Sequence, residues 1–165
     1  MPPPLAAAAA YDVAYRPMVE ADLPFLCALY AWTRAEEVAQ TGWPIEAQHQ
    51  FLTSQFEAQH SHYQAHYPAA EWLVIEVAGE EAGRLYIEEW ERELRVIDIA
   101  LLPAFRGKGI GKAILEDVIA LARSKAKAVS IHVEMFNTAM HLYDRLGFEK
   151  IDEHGVYYLM EWGPS

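Results

Sequence analysis

The sequence predicts a mixed α/β domain, and three observations carry that prediction. Runs rich in β-formers alternate with stretches whose apolar residues recur at helical spacing, so both classes are mixed along the chain. At the centre, the nearly continuous apolar run "LRVIDIALL" (94–102), a glycine-opened helix and the run "AVSIHVEMF" make one strand–helix–strand unit. The chain has 165 residues, 53% of them hydrophobic, which is enough for one domain to bury a core. No internal repeat or dividing linker is evident.

Taken in order, "MPPPLAAAAA" is of low complexity and reads as a loose tail over residues 1–10, ahead of a single domain over 11–165. "DVAYRP" is a short strand. Asp22 then caps a helix that tolerates Pro24 in its first turn and runs to about Thr33. "TGWP" breaks the chain, and Phe51, Leu52, Gln55, Phe56 and Gln59 give a second helix over 45–66. "EWLVIEVAGEEAGRLYIEEW" is a hairpin about a glycine-bounded turn. The run 94–102 is a strand buried on both faces, ended by Pro103. Ile110, Ile114, Leu115, Val118, Leu121 and Ala122 form the apolar stripe of the next helix. After "AVSIHVEMF", Asn137 caps a short helix whose Ala139, Leu142, Tyr143 and Leu146 share a face, and Gly147 supplies its left-handed stop. Strands at about 148–153 and 156–162 flank His154 and Gly155.

Composition narrows the function. No apolar run approaches the ~18 residues needed to cross a membrane. The start of the chain lacks the basic region of a secretory signal, and the lone Cys27 suits a reducing compartment, so a cytoplasmic location is expected. A net charge of −11 argues against nucleic-acid or anionic-membrane partners. That charge is uneven. Between Pro103 and Lys127, six cations (Arg106, Lys108, Lys112, Arg123, Lys125, Lys127) face only Glu116 and Asp117, a local net of +4.

The basic patch surrounds "FRGKGIGKAI" (105–114), with glycines at 107, 109 and 111. A helix's first turn offers N–H groups without internal partners, its dipole adds positive charge, and glycines let an anion approach the backbone. Phosphate is the usual occupant of such a mouth. Two nucleotide patterns fail here. Arg106 stands where a Walker A loop needs its first glycine and Ala113 where it needs Ser or Thr; Lys112 replaces the third glycine of a dinucleotide fingerprint.

"IDIALLPAFRGKGIGKAILEDVIALA", followed about thirty residues later by "NTAMHLYDRLGF", resembles the GNAT superfamily of acyl-CoA-dependent N-acetyltransferases. The resemblance implies a twisted, mostly antiparallel central sheet with one parallel, splayed pair and helices on both faces. It implies acetyl-CoA as co-substrate, with the diphosphate on the backbone N–H groups of Arg106, Gly107, Lys108, Gly109, Ile110 and Gly111, and with Lys112 beside them. It further implies that Ile99, Ala100 and Leu101 pair with the pantetheine arm and acyl carbonyl. Donors aimed at that carbonyl are an oxyanion hole in outline. Direct acetyl transfer to a primary amine follows, with a small-molecule or peptide acceptor and a homodimer compatible with the closing strands. A longer acyl donor, or a coenzyme-binding module without turnover, are the alternatives.

Tyr143 matches the tyrosine that members of this family place near the coenzyme sulfur as a general acid. It equally sits on the apolar stripe of its helix. Asn137 reads as a cap and then as a coenzyme contact, six residues from Tyr143 where many relatives have seven. Alternation along the strand puts Ser130, His132 and Glu134 on one face, so His132 is the first candidate base and Glu134 its neighbour or substitute. A structural histidine is an equal reading, and Glu88, Glu89 and Asp98 are further carboxylates in reach. Trp43, Phe51, Phe56, Tyr63 and Tyr67, with Glu36 and Glu37, are candidates to line the acceptor side, where aromatic and acidic walls suit a cationic amine. His60, His62 and His66 do not share one helical face, and no metal is expected.

Overall fold

The computed structural model describes residues 2–135, 137 and 139–163. Seven strands form one sheet in the order β1-β2-β3-β4-β5-β7-β6. They are β1 (Val13–Pro17), β2 (Glu71–Val77), β3 (Glu80–Glu89), β4 (Glu93–Leu101), β5 (Ala128–Glu134), β6 (Glu149–His154) and β7 (Tyr157–Trp162). Among the described residues only β4 and β5 run parallel, since the helix between them must carry the chain back across the sheet. The α-helices among the described residues are α1 (Leu23–Ala39), α2 (Ile45–His66), α3 (Ile110–Ser124) and α4 (Met140–Leu146). The mixed fold with one parallel pair and helices on both faces is the one expected.

The two faces differ in chemistry. On one, α3 and α4 cover a continuous core in which Ile114, Leu115, Val118 and Tyr143 meet Leu85, Leu94, Val96, Ile131 and Val133. The face under α1 and α2 is more polar: buried Arg84 and Arg95 rise from the sheet there, and α1 and α2 keep a smaller core of Leu26, Tyr30, Leu52 and Phe56 between themselves.

Two irregularities open the sheet. In β4, Val96 pairs with Ile87 and Asp98 with Tyr86, so Ile97 is an extra residue and the strand bends there. Beside it, β4 and β5 pair only over 93–96 and 128–131, after which β5 continues alongside β7. The edge of β4 from Ile97 to Leu101 therefore lacks a β5 partner. The strand expected to be buried on both faces is buried through Val96 and half-buried beyond it, where the split admits solvent. Gly83 makes the other flank possible: any Cβ there would collide with the Ala100 carbonyl on β4.

Several local expectations need correction. Residues 6–10 do not form a loose tail. The N–H groups of Ala6, Ala7 and Ala8 donate to the Asp117 carboxylate on α3 at 3.1, 2.7 and 3.0 Å, and a 3₁₀ turn follows over Ala8–Tyr11. Asp22 does not cap α1 with its side chain. It forms a two-pronged ion pair with Arg16 and accepts from the Val19 N–H, tying the helix entry to β1. α1 runs six residues past Thr33, because Arg34 to Ala39 contains good helix formers and an Arg34–Glu37 pair at 3.1 Å. α4 starts at Met140, and Asn137 caps the turn before it rather than the helix itself. Gly147 ends α4 with φ +94°, as its position demanded. Phe136, expected at the end of β5, lies outside the described residues. Among the described residues no helix is long and apolar enough to cross a membrane.

Candidate active site at the sheet split

The glycine loop lies where the sequence placed it, between the end of β4 and α3. A 3₁₀ turn over Pro103–Phe105 leads from the strand, and Gly109, with φ +89°, is the residue just ahead of the helix. That conformation is one that a residue with a Cβ rarely adopts. Gly111 is different: it is ordinary helix, and a Cβ on it would come no nearer than 3.8 Å to Leu101 Cδ1. It is small where space adjoins the open end of β4. Ile110 turns its side chain into the core at 3% exposure, leaving only its backbone toward the mouth. Lys108 and Lys112 are exposed. The Arg106 guanidinium folds back, its Nε donating to the Leu101 carbonyl at 2.8 Å, and so clips the loop to the strand.

Ile99, Ala100 and Leu101 occupy the unpaired flank of β4, while their other flank meets Leu85, Arg84 and Gly83. Backbone groups on that free edge are available to an extended ligand, in the manner of an added strand. Tyr143 on α4 is 5% exposed and edge-packed against Phe148 at 5.5 Å. Burial, and then the Asp98 carboxylate, push its phenol well above the ordinary value. It holds its proton throughout the physiological range. Asn137 accepts the Ala139 N–H at 2.7 Å, so its side chain shapes the turn into α4.

On the opposite face, Ser130, His132 and Glu134 do share a side of β5, but each answers to an arginine. Arg95 Nε donates to the buried Ser130 hydroxyl at 2.8 Å, and its Nη1 lies 3.4 Å from His132 Nδ1. Arg34 on α1 holds Glu134 at 2.8 Å. Glu134 is thus an anchor for α1 before it is an orienter of His132. The His132 ring meets the His154 ring edge-on at 5.8 Å. Burial, then Arg95 and His154, lower the His132 pKa below the ordinary imidazole value, leaving it neutral at pH 7.

The sequence reading missed the most buried charge of the site. Arg84 is 2% exposed, pairs with Asp98, and donates to Gln59 of α2 at 2.9 Å. Its guanidinium lies 4.8 Å from the Tyr86 ring centre. Tyr63 packs edge-on to the same ring at 6.1 Å, and Tyr67 stacks on Trp90 at 6.4 Å. Asp98 raises the pKa of both Tyr143 and Tyr63, so one carboxylate acts on groups from α4 and from α2 at the split. Alternation places Arg84, Tyr86 and Glu88 on one face of β3, but it carries no signal that this polar face is buried.

Of the expected acceptor-side aromatics, Tyr63 and Tyr67 reach this region. Phe56 is core at 4% exposure, and Trp43 and Phe51 pack on each other at 5.4 Å at the start of α2. His62 and His66 stack at 4.0 Å and His60 stacks on Phe56, and the described residues hold no group of three or more His, Cys, Asp or Glu that could take a metal ion.

The sequence pattern of the Acetyltransferase (GNAT) family matches residues 28–148, which span the split, the glycine loop and α4. The chain belongs to the GNAT acetyltransferase family. Among characterised proteins it is 33% identical over 67 residues to the [ribosomal protein bS18]-alanine N-acetyltransferase of Haemophilus influenzae, covering 40% of this chain and 46% of that one. It is 31% identical over 84 residues to a putative enzyme of the same description from Bacillus subtilis, covering 50% and 56%. The chain thus spans about half the length of the curated relatives it matches. The PaiA N-acetyltransferase of Thermoplasma acidophilum, solved with coenzyme A, superposes with a TM-score of 0.67 at 17% identity over 92% of this chain and 99% of that one. A GNAT acetyltransferase from Elizabethkingia anophelis with acetyl-CoA bound gives 0.58 at 19% identity, over 93% and 99%. At such identities these likenesses establish the GNAT fold.

Proposed function

We propose that the domain of residues 11–165, with residues 6–10 packed onto it, is a cytoplasmic N-acetyltransferase that moves an acetyl group from acetyl-CoA directly to a primary amine in a ternary complex. One observation carries the reading: the glycine-opened mouth of α3 adjoins the unpaired edge of β4, with the buried, protonated Tyr143 on the same side. These parts fit coenzyme A. The N–H groups of Arg106 to Gly111 suit its diphosphate, Lys108 and Lys112 its charge, and the free flank at Ile99, Ala100 and Leu101 its pantetheine arm, with Asn137 at the turn beside it. The co-substrate supplies a thioester whose sulfur leaves as a thiolate when the amine attacks. Tyr143 gives its phenolic proton to that sulfur. His132, neutral at pH 7, accepts the proton lost by the amine, directly or through water, and Glu134 is the second candidate.

Incubating the protein with acetyl-CoA and a panel of amines, read by mass spectrometry, tests the whole. Peptides with an N-terminal alanine belong in the panel because the relative from Haemophilus influenzae is named as a [ribosomal protein bS18]-alanine N-acetyltransferase; polyamines, amino sugars and lysine complete it. Transfer to at least one amine is expected, and coenzyme binding without any acetylated product would leave a binding module instead. With an acceptor in hand, Tyr143→Phe should lower kcat about 10²- to 10³-fold while KM for acetyl-CoA moves less than ~2-fold. An unchanged kcat removes the acid from Tyr143. For the base, kcat/KM should fall on the acid side with a midpoint below ~6.5, because protonating His132 removes its lone pair. His132→Ala should abolish that limb, and a limb that persists assigns it to another group.

A further inference from the structure

The mechanism gives no part to Asp117, although it is 3% exposed and sits in the middle of α3. Its carboxylate accepts three consecutive backbone N–H groups, from Ala6, Ala7 and Ala8. Ala8 is fully buried in the core beneath α3. From this anchor the chain runs back along α3 toward its N-terminal end. Asp117 and Gly109 are eight residues apart, about 12 Å along a helix, and the 3₁₀ turn Ala8–Tyr11 covers about half of that, the Tyr11 side chain reaching the rest of the way. The segment is pinned again just beyond, where the Asp12 carbonyl accepts the Ala78 N–H at 3.0 Å. Between the two anchors lies Tyr11. Its hydroxyl stands at the mouth of α3, 2.7 Å from where a Cβ of Gly109 would be. The side chain is held in place yet 39% exposed, so its hydroxyl can meet a ligand.

We propose that Tyr11 is a coenzyme-binding residue, its hydroxyl donating to the diphosphate of coenzyme A, and that Asp117 is the positioning residue that straps it there. The inference rests on the coenzyme reading given above. The other donors at the mouth are backbone N–H groups, the exposed Lys108 and Lys112, and the Arg106 guanidinium, whose Nε is already given to the Leu101 carbonyl. Tyr11 adds a side-chain hydroxyl held in place between two anchors, so little freedom is lost on binding. Gly109 is then required twice over, once for its positive φ and once to leave space for the phenol.

Calorimetry on the full chain tests this with coenzyme A and with pantetheine, which lacks the diphosphate. Tyr11→Phe is expected to raise the Kd for coenzyme A on the order of tenfold, through one hydrogen bond to a charged group, and to leave pantetheine binding unchanged. Asp117→Asn should speed amide hydrogen exchange at Ala6 to Ala8 and weaken coenzyme A by a similar factor. A wild-type Kd for coenzyme A in Tyr11→Phe overturns the donor. Released amides with unaltered affinity in Asp117→Asn overturn the strap. Wild-type protein that binds no coenzyme A overturns the underlying site and this inference together, a result distinct from either.

Discussion

Replacing Gly111 with glutamate is expected to leave a folded domain that no longer binds acetyl-CoA. The position is helical and open, with Leu101 Cδ1 at 3.8 Å as its nearest neighbour, so a side chain can be accommodated. A carboxylate in the first turn of a helix interacts favourably with the dipole, and removing a helical glycine adds to stability, so Tm should hold or rise slightly. The same carboxylate would sit where the diphosphate has to lie. Like charges brought together at a binding surface cost several kcal/mol, which corresponds to a Kd raised at least ~100-fold. Thermal melting and calorimetry on one preparation decide it: unchanged affinity in the folded variant means the mouth of α3 is not the anion site. Gly109→Glu would be a poorer experiment. Its positive φ and the Tyr11 hydroxyl make any side chain strained there, so lost binding could come from a displaced loop.

Asp98→Ala should produce the largest loss of stability among the site residues. It leaves the Arg84 guanidinium, 2% exposed, without its counter-charge. Breaking a buried pair from one side costs about 3–5 kcal/mol. Because the Asp98 side chain retains 23% exposure and water can reach it, about 2–4 kcal/mol is the better expectation. That corresponds to a Tm lowered by about 5–12 °C for a chain of this size. The double variant Arg84→Met with Asp98→Leu should recover most of the loss, since no charge then remains buried. If Asp98→Ala melts with the wild type, Arg84 is not relying on it. Recovery in the double variant would separate the structural role of the pair from any part Asp98 plays through Tyr143 and Tyr63.

How much of this was legible beforehand depends on the range of the interactions concerned. α2 was read at its observed bounds, 45–66, because helical periodicity and the "TGWP" break are both local signals. The glycine loop and the stop at Gly147 were legible for the same reason: a positive φ or a close approach selects glycine at that residue itself. Two of the corrections come from side-chain partners outside the element concerned. Asp22 stands where a cap belongs, but its carboxylate serves Arg16 of β1 and the Val19 N–H instead. The alanine run has nothing nearby to bind it, and the ligand for its amides is a carboxylate about 110 residues away.

For the site, spacing along the chain sets which side chains share a face, and the partners of those side chains come from other elements. His132 and Glu134 do share one face of β5, as alternation required, yet Arg95 and Arg34 arrive from β4 and α1 and divide them. Arg84 went unnoticed because a lone cation in a β-rich run reads as solvent-facing until the opposing strand supplies Asp98.

By itself, then, the sequence determined the mixed α/β class, the order of elements, the helix mouth bared for an anion and the candidates for proton transfer, since each depends on spacing within a few residues. Tertiary structure alone decided where the sheet opens, through one extra residue at Ile97 and a parallel pairing that ends at Val96. It also decided which charges are buried together and what the N-terminal segment touches. Those outcomes depend on strand register, and register is a property of two segments at once: shifting one strand by a single residue would turn Arg84 and Asp98 to opposite faces without changing a letter of either.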